Sequence, residues 1–265
     1  MAVSPRESLP VFATGGRPHA AGQPLAMLVH GAGMDHTVWA LQSRWLAFHG
    51  WNVVALDLPG HGRSPGAPPE SIDAIAQIVL GLIARIGAGA PAVLIGHSMG
   101  SLAALRAAAL APVAVSRLVL IGTAAAMPVH PDLLGAAKAN DHAAIDMVNL
   151  WGYGFAAGLG GCRLPGVWMA GAGERILERA APGVLHNDLA ACNAYRDGLT
   201  DAAKVSAPTL LLCGERDQMT PLKSAKALGA AIKGSTLVAL PRAGHMLMIE
   251  RPYEVIDAIA AFLRS

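Results

Sequence analysis

The sequence predicts an α/β protein with a mostly parallel central sheet, flanking helices and one helical insertion. Short apolar runs alternate with longer stretches of helical periodicity over residues 25–121 and again over 209–263. This alternation is typical of parallel strands joined by helical crossovers. Residues 127–201 contain no strand-like run. We therefore expect a core formed by residues 1–126 and 202–265, and a helical cap inserted at residues 127–201.

The predicted strands are short apolar runs, as expected for strands that are buried on both faces. In chain order they cover residues 25–29, 53–56, 92–95, 118–121, 209–212 and 236–240. Predicted helices cover residues 37–49, 71–86, 101–110 and 253–263. Ser71 is a predicted N-cap, and Thr220 is predicted to cap a further helix that Pro221 starts.

Composition restricts the class of protein. Of 265 residues, 53% are hydrophobic and 14% are charged, which is enough apolar surface for a folded core. The net charge of +2 comes without a basic run, so no nucleic-acid partner is expected. Arg106, Pro112 and Arg117 interrupt the longest apolar stretch, and residues 1–10 lack a signal-peptide core. We expect a cytoplasmic monomer or homodimer without stable membrane insertion.

The cysteines and histidines give no sign of a metal site. Cys162, Cys192 and Cys213 form no C-x-x-C pair, and the ten histidines show no metal-ligand spacing. The thiols are expected to be free, although an approach of Cys162 to Cys192 stays open. No metal or organic cofactor is expected.

A nucleophile motif follows the predicted strand at residues 92–95. The segment reads Gly96-His97-Ser98-Met99-Gly100 and precedes a predicted helix. In this context G-x-S-x-G forms a sharp turn that projects the serine hydroxyl at the amino end of the helix. Ser98 is therefore the candidate nucleophile.

A serine hydroxyl needs a base to remove its proton and an acid to orient that base. Asp217 and His245 follow the strands at 209–212 and 236–240, at the carboxyl edge of the sheet. They are the candidate acid and base. Glu215 is a competing acid. Taken alone, Asp217 is also typical of a turn, and His245 is also typical of a surface loop.

Two backbone amides are the candidate oxyanion hole, the pair of donors that stabilises a tetrahedral oxyanion. One is the amide of Met99, directly after Ser98. The other comes from His30-Gly31-Ala32-Gly33, where Ala32 is preferred and Gly33 is the alternate. His30 is expected to be structural.

These motifs together resemble the α/β-hydrolase superfamily, in particular serine-nucleophile esterase-like and lactonase-like members with a helical cap. The matching segments are residues 30–33, 57–64 (Asp-Leu-Pro-Gly-His-Gly-Arg-Ser), 96–100, 214–221, 244–245 and 250–252. The resemblance implies that residues 57–64 form a loop near the site entrance rather than a source of catalytic groups. It also implies that chemistry with an aspartate nucleophile is excluded by Ser98.

An apolar acyl pocket is predicted from two further patterns. Aromatic residues concentrate in the insertion, and methionines lie beside the candidate catalytic elements. The candidate lining residues are Gly33, Met34, Trp151, Trp168, Met219 and Met246. The alternative is that the aromatic residues form the core of the cap and that the methionines fill gaps under tight loops.

The function that these residues predict is hydrolysis of a carboxylic ester through an acyl-enzyme, on a small-molecule ester or lactone of small to medium apolar acyl size. Enol-lactone hydrolysis, carbon–carbon hydrolysis of a dienoate-type substrate, thioester hydrolysis and acyl transfer to an acceptor use the same residues. A carboxylate substrate would favour a cation in the pocket, for which Arg163 and Arg63 are candidates. A catalytically silent ligand-binding protein is the alternative from another class.

Overall fold

The structure is a computed structural model that describes residues 10–159 and 168–265, and a mostly parallel sheet lies at its centre. Within those ranges the strands are β1 (Phe12–Ala13), β2 (Leu25–Val29), β3 (Asn52–Leu56), β4 (Ala92–His97), β5 (Val115–Ile121), β6 (Thr209–Gly214) and β7 (Thr236–Leu240). Their order in the sheet is β1-β3-β2-β4-β5-β6-β7. Strand β1 pairs antiparallel with β3, and the other neighbouring pairs are parallel.

The described helices lie between the strands and after the last of them. They are α1 (Ala40–Phe48), α2 (Ile72–Ile86), α3 (Met99–Leu110), α4 (Pro131–Lys138), α5 (Ala143–Gly152), α6 (Phe155–Gly158), α7 (Met169–Glu178), α8 (Val184–Ala194), α9 (Gly198–Ala202), α10 (Leu222–Ala231), α11 (Leu247–Glu250) and α12 (Pro252–Arg264). Within the described ranges, no helix combines the length and apolar character that crossing a bilayer requires.

Both faces of the sheet are buried under helices. Alternate residues of β2 point to opposite faces, so Met27 belongs to one apolar cluster and Leu28 to the other. The first cluster includes residues of α2, α3 and α10. The second includes residues of α1, α12 and the insertion. The predicted α/β class with a mostly parallel sheet is confirmed.

The element boundaries differ from prediction mainly at helix starts and strand ends. The helix predicted over residues 37–49 begins as a 3-10 turn, His36–Trp39, because the Asp35 side chain accepts the Thr37 amide. Helix α3 starts at Met99 rather than at residue 101, directly behind Ser98. Strand β1 was not predicted, since two residues give no periodic signal.

Thr220 does not cap a helix, contrary to the prediction. Helix α10 begins at Leu222 with Pro221 as its N-cap. The Thr220 amide and hydroxyl both donate to the carboxylate of Asp217 instead, at 2.7 Å each. The hydroxyl is thus committed to the candidate site.

Helices α4 to α9 lie between β5 and β6; α4 to α8 fall within the segment predicted as an insertion, and α9 ends one residue beyond it. Helix α9 packs against α3 and α10, which flank the sheet. The division at residues 126/127 and 201/202 stays a prediction. Cys192 and Cys213 are free and buried, and burial raises the pKa of the Cys213 thiol to about 12. Cys162 and Arg163 lie outside the described residues.

Candidate active site

Ser98 lies on a strained turn between β4 and α3. Its φ of +51° and ψ of −120° are rarely adopted by a residue with a side chain. The turn is held because the Ser98 amide donates to the Ile121 carbonyl at 2.9 Å. A Cβ on Gly100 would collide with the carbonyl of Val29, so glycine lets the turn sit directly against β2. The sequence G-x-S-x-G therefore places a half-buried serine at the carboxyl edge of the sheet.

His245 and Asp217 form a buried pair next to this turn. Nδ1 of His245 lies 2.8 Å from Oδ2 of Asp217. Burial alone would raise the pKa of Asp217, but the charge of His245 and the hydrogen bonds from His245 and Thr220 outweigh it and lower that pKa. The Asp217 carboxylate is therefore ionised at neutral pH. Glu215, the competing acid, is exposed.

The His245 imidazole is oriented by its surroundings. With Nδ1 donating to Asp217, Nε2 is left as an acceptor, and this buried atom has no hydrogen-bond partner within the described ranges. Gly122, at φ +56°, gives the ring room, because a Cβ there would lie 3.0 Å from both Cε1 and Nδ1. Nε2 of His97 lies 3.0 Å from the His245 carbonyl. Nε2 is therefore available to accept a proton, and His245 and Ser98 line the same cavity.

The two preferred oxyanion donors belong to the turn that carries Ser98 and to the loop after β2. Met99 is the first residue of α3, where an amide has no intrahelical partner. Ala32 lines the cavity beside Ser98. Gly33, the alternate, donates its amide to Oδ2 of Asp188 at 2.8 Å. The arrangement therefore favours Ala32 over Gly33.

Asp188 ties the Ala32 loop to the insertion, a role that the sequence did not reveal. Its fully buried carboxylate accepts the Gly33 amide and also contacts Nε2 of His61 at 2.8 Å. Burial would lower the pKa of His61, but the hydrogen bond and charge of Asp188 outweigh it and raise that pKa. His30 is structural, as expected, because its Nε2 accepts the Leu58 amide. Burial, followed by the nearby His61, lowers the pKa of His30 to about 4.

A cavity of about 310 Å³ opens above Ser98 and His245. Its walls are mainly apolar and come from both the core and the insertion. Of the predicted pocket residues, those that line it are Met34, Trp151, Met219 and Met246.

Two predicted pocket residues lie elsewhere. Trp168 is 65% exposed and packs its ring over Gly171 at the start of α7. Gly33 faces the side chains of Leu177 and Leu185 and lines a second cavity. The aromatic pattern could not separate pocket from surface, because it carries no information on which side of a helix faces the sheet.

The second cavity, of about 460 Å³, is lined by charged groups that already have partners. Asp35 pairs with Arg179 at 2.9 Å. Arg63 also lines this cavity and not the one above Ser98. It is therefore placed away from the candidate reacting groups.

Known proteins resemble this chain along most of its length. The chain is 32% identical over 255 residues to a pimeloyl-(acyl-carrier protein) methyl ester esterase of Neisseria meningitidis serogroup A, covering 90% of this chain and 75% of the relative. The structure of a thermophilic esterase matches with a TM-score of 0.76 and 29% identity, over 92% of this chain and 90% of that one. The enol-lactonase from Burkholderia xenovorans LB400 matches with a TM-score of 0.83 and 25% identity, over 92% and 93%.

The family assignment rests on a match that spans the site and the sheet. A sequence profile described as the alpha/beta hydrolase family matches residues 26–258, which include Ser98, Asp217 and His245. The chain belongs to the alpha/beta hydrolase family.

Proposed function

We propose that the protein is a serine hydrolase that cleaves carboxylic esters through an acyl-enzyme. Ser98 is the nucleophile, His245 the proton-transfer base and Asp217 the group that orients the base. The observation that carries the proposal is the buried Asp217–His245 pair, 2.8 Å apart: Nε2 of His245 has no partner among the described residues, and His245 lines the same cavity as the strained Ser98. Relatives of 29–32% identity that are named esterases support the same chemistry.

The reaction follows from these positions in two stages. His245 takes the proton of the Ser98 hydroxyl as its oxygen attacks the ester carbonyl, and the resulting imidazolium then protonates the departing alcohol. In the second stage the same imidazole takes a proton from water, whose oxygen attacks the acyl-enzyme. The bond between the acyl carbon and the Ser98 oxygen then breaks, the imidazolium returns its proton to that oxygen, and the acid is released. The Asp217 carboxylate stabilises the imidazolium in both stages.

The tetrahedral oxyanion is stabilised by the amides of Ala32 and Met99. Both belong to rigid segments, one beside the buried Asp188 and one at the first turn of α3. Loss of one such donor raises a reaction barrier by about 3–4 kcal/mol. No metal or organic cofactor takes part in the steps proposed here.

The substrate proposed is an ester of a small to medium acyl group. A cavity of about 310 Å³ lies at the lower end of ligand pockets. Met34, Met219 and Met246 give it adaptable walls, and residues of α5, α7 and α8 cover it. The name of the Neisseria relative specifies a methyl ester, and a small alkyl leaving group is part of this proposal.

Hydrolysis of an enol-lactone is the second candidate, favoured by the likeness to the Burkholderia enol-lactonase. The ring-opening reaction uses the same residues, with the leaving oxygen retained in the product. Arg63, the described cation considered for a carboxylate substrate, lies in the second cavity. Lactones without a carboxylate group are therefore the substrates to test.

The test is turnover of p-nitrophenyl esters and neutral lactones of graded size by the purified protein. We expect burst kinetics followed by steady turnover, and a loss of about 10⁶-fold in kcat in Ser98→Ala. Ser43→Ala, which changes a buried serine on α1 away from the cavity, is the matched control and should keep its activity. Absence of turnover by the wild-type protein would favour the ligand-binding alternative, and equal turnover by Ser98→Ala would contradict Ser98 as the nucleophile.

A further inference from the structure

Tyr153 provides a polar atom in the mostly apolar wall of the cavity. Its side chain is 7% exposed, and its hydroxyl has no hydrogen-bond partner among the residues that the structure describes. Asn149, one turn earlier at the end of α5, lines the same wall. A buried hydroxyl without a partner destabilises the folded state, so such a group needs an explanation.

The position of Tyr153 is fixed from both sides by the loop that carries His245. The Gly152 carbonyl accepts the amides of His245 and Met246, at 2.8 and 3.1 Å. The Gly154 amide donates to the buried carboxylate of Glu250 at 3.0 Å, and the same carboxylate accepts the Gly244 amide. The phenol therefore has a set position relative to the candidate base.

Gly173 on α7 lets this hydroxyl pack closely against the helix. A Cβ at residue 173 would collide with the Tyr153 hydroxyl and lie 2.8 Å from Oδ1 of Asn149. Gly173, Tyr153 and Asn149 all line the cavity, so the two polar groups belong to one part of its wall. Burial, followed by the charge of Glu250, raises the pKa of Tyr153, and the phenol stays a protonated donor throughout the pH range of an assay.

We propose that the Tyr153 hydroxyl, with Asn149 beside it, is a specificity subsite that binds a second oxygen acceptor on the acyl chain. The preferred substrates are then neutral esters whose acyl group carries a keto or ether oxygen away from the scissile carbonyl. A simple alkanoic chain leaves the phenol unpaired, whereas an oxygen acceptor restores its hydrogen bond inside an apolar site. This inference rests on the proposed ester hydrolysis and specifies the class of acyl group that the enzyme prefers.

The experiment compares two series of p-nitrophenyl esters of equal chain length. The esters of the first series have alkanoic acyl groups. In each ester of the second series one CH₂ of the acyl chain is replaced by an ether oxygen or a carbonyl, and the position of the replacement varies along the chain. We expect wild-type kcat/KM to favour the oxygen-bearing ester at one position by about tenfold over the alkanoic ester of the same length. In Tyr153→Phe, this ratio should fall to about one.

The matched control is Tyr195→Phe. Tyr195 is another buried tyrosine, but its hydroxyl donates to Asp201 at 2.6 Å and it does not line the cavity. Tyr195→Phe should keep the tenfold ratio and lower the melting temperature, because the buried Asp201 carboxylate loses one of its donors. Tyr153→Phe should keep or raise the melting temperature, because an unpaired hydroxyl is removed.

The outcomes separate the subsite from the function. A protein that hydrolyses neither series contradicts the proposed function itself. If the protein hydrolyses both series with equal kcat/KM at every position, the subsite is overturned and ester hydrolysis stands. The same holds if the preference for the oxygen-bearing ester survives in Tyr153→Phe.

Discussion

Replacing Asp188 by alanine is expected to destabilise the fold and to slow the reaction. The side chains of Asp188 and His61 are both fully buried, at 0% exposure, and 2.8 Å apart. The same carboxylate holds the Gly33 amide next to Ala32, one of the proposed oxyanion donors. Removing it leaves a buried imidazole and a buried amide without their acceptor.

The expected loss of stability is large. Removing one partner of a buried pair costs about 3–5 kcal/mol. With a urea m-value of about 2–3 kcal/mol/M, the unfolding midpoint should fall by about 1–2 M. We expect kcat to fall by about tenfold, less than the 10²–10³-fold effect of losing an oxyanion donor outright, since the Ala32 amide is displaced rather than removed.

The pH dependence of this loss has a definite sign. Because the folded-state pKa of His61 is raised, its stabilisation is fully present below its unfolded pKa of about 6.5. That stabilisation is lost as pH rises through the folded pKa. The stability difference between wild type and Asp188→Ala should therefore be greatest below about pH 6.5 and should shrink on going to pH 9.

Urea unfolding followed by circular dichroism at pH 6 and pH 9 measures both effects. Asp146→Ala, at an exposed ion pair with His142 on α5, is the control and should leave the midpoint unchanged. The reasoning is refuted if Asp188→Ala unfolds at the same urea concentration as that control. It is also refuted if the difference from wild type grows with pH.

Three further substitutions test the site. Gly122→Ala should lower kcat at least tenfold with little change in KM, because a Cβ at φ +56° crowds the His245 ring. The control is Gly135→Ala, at an exposed position on α4 with open space around it. This variant should keep its activity, and its free energy of unfolding should rise by about 1 kcal/mol. Thr220→Val should lower kcat about tenfold, since a hydrogen bond to a charged group contributes about 1.5–3 kcal/mol. Thr220→Val should also lower the free energy of unfolding at pH values above about 4, the pKa of Asp217 in the unfolded state. This difference from wild type should disappear in an acid titration, as the pH falls through the lower pKa that Asp217 has in the folded state. Met34→Ala should shift the preferred acyl chain to a greater length, and an unchanged chain-length profile would argue against Met34 as a wall of the acyl pocket.

The sheet was predictable because buried parallel strands are continuous apolar runs. The runs at residues 25–29 and 236–240 match β2 and β7, and the others differ only at their ends. Once the strands are placed, the loops after β4, β6 and β7 fall at one edge of the sheet. Ser98, Asp217 and His245 could therefore be nominated from chain order and local motifs.

The contacts made by the insertion could not be predicted in the same way. Asp188 meets His61 across 127 positions of sequence, and no local pattern indicates that approach. Trp168 and Tyr153 look alike as aromatic residues of one insertion, yet the first is exposed and the second is buried in the cavity wall. Such differences depend on how the helices pack on the core. Thr220 is an intermediate case, because a threonine three residues after an aspartate suits a turn as well as a helix cap.

Covalent labelling of Ser98 tests the central claim most directly. The protein is treated with a fluorophosphonate, and the rate and position of modification are determined by mass spectrometry. We expect one label per chain, on the peptide that contains Ser98, with labelling absent in Ser98→Ala and slowed at least 10³-fold in His245→Ala. Labelling on another residue, or an unchanged rate in His245→Ala, would contradict an Asp217–His245 pair that activates Ser98.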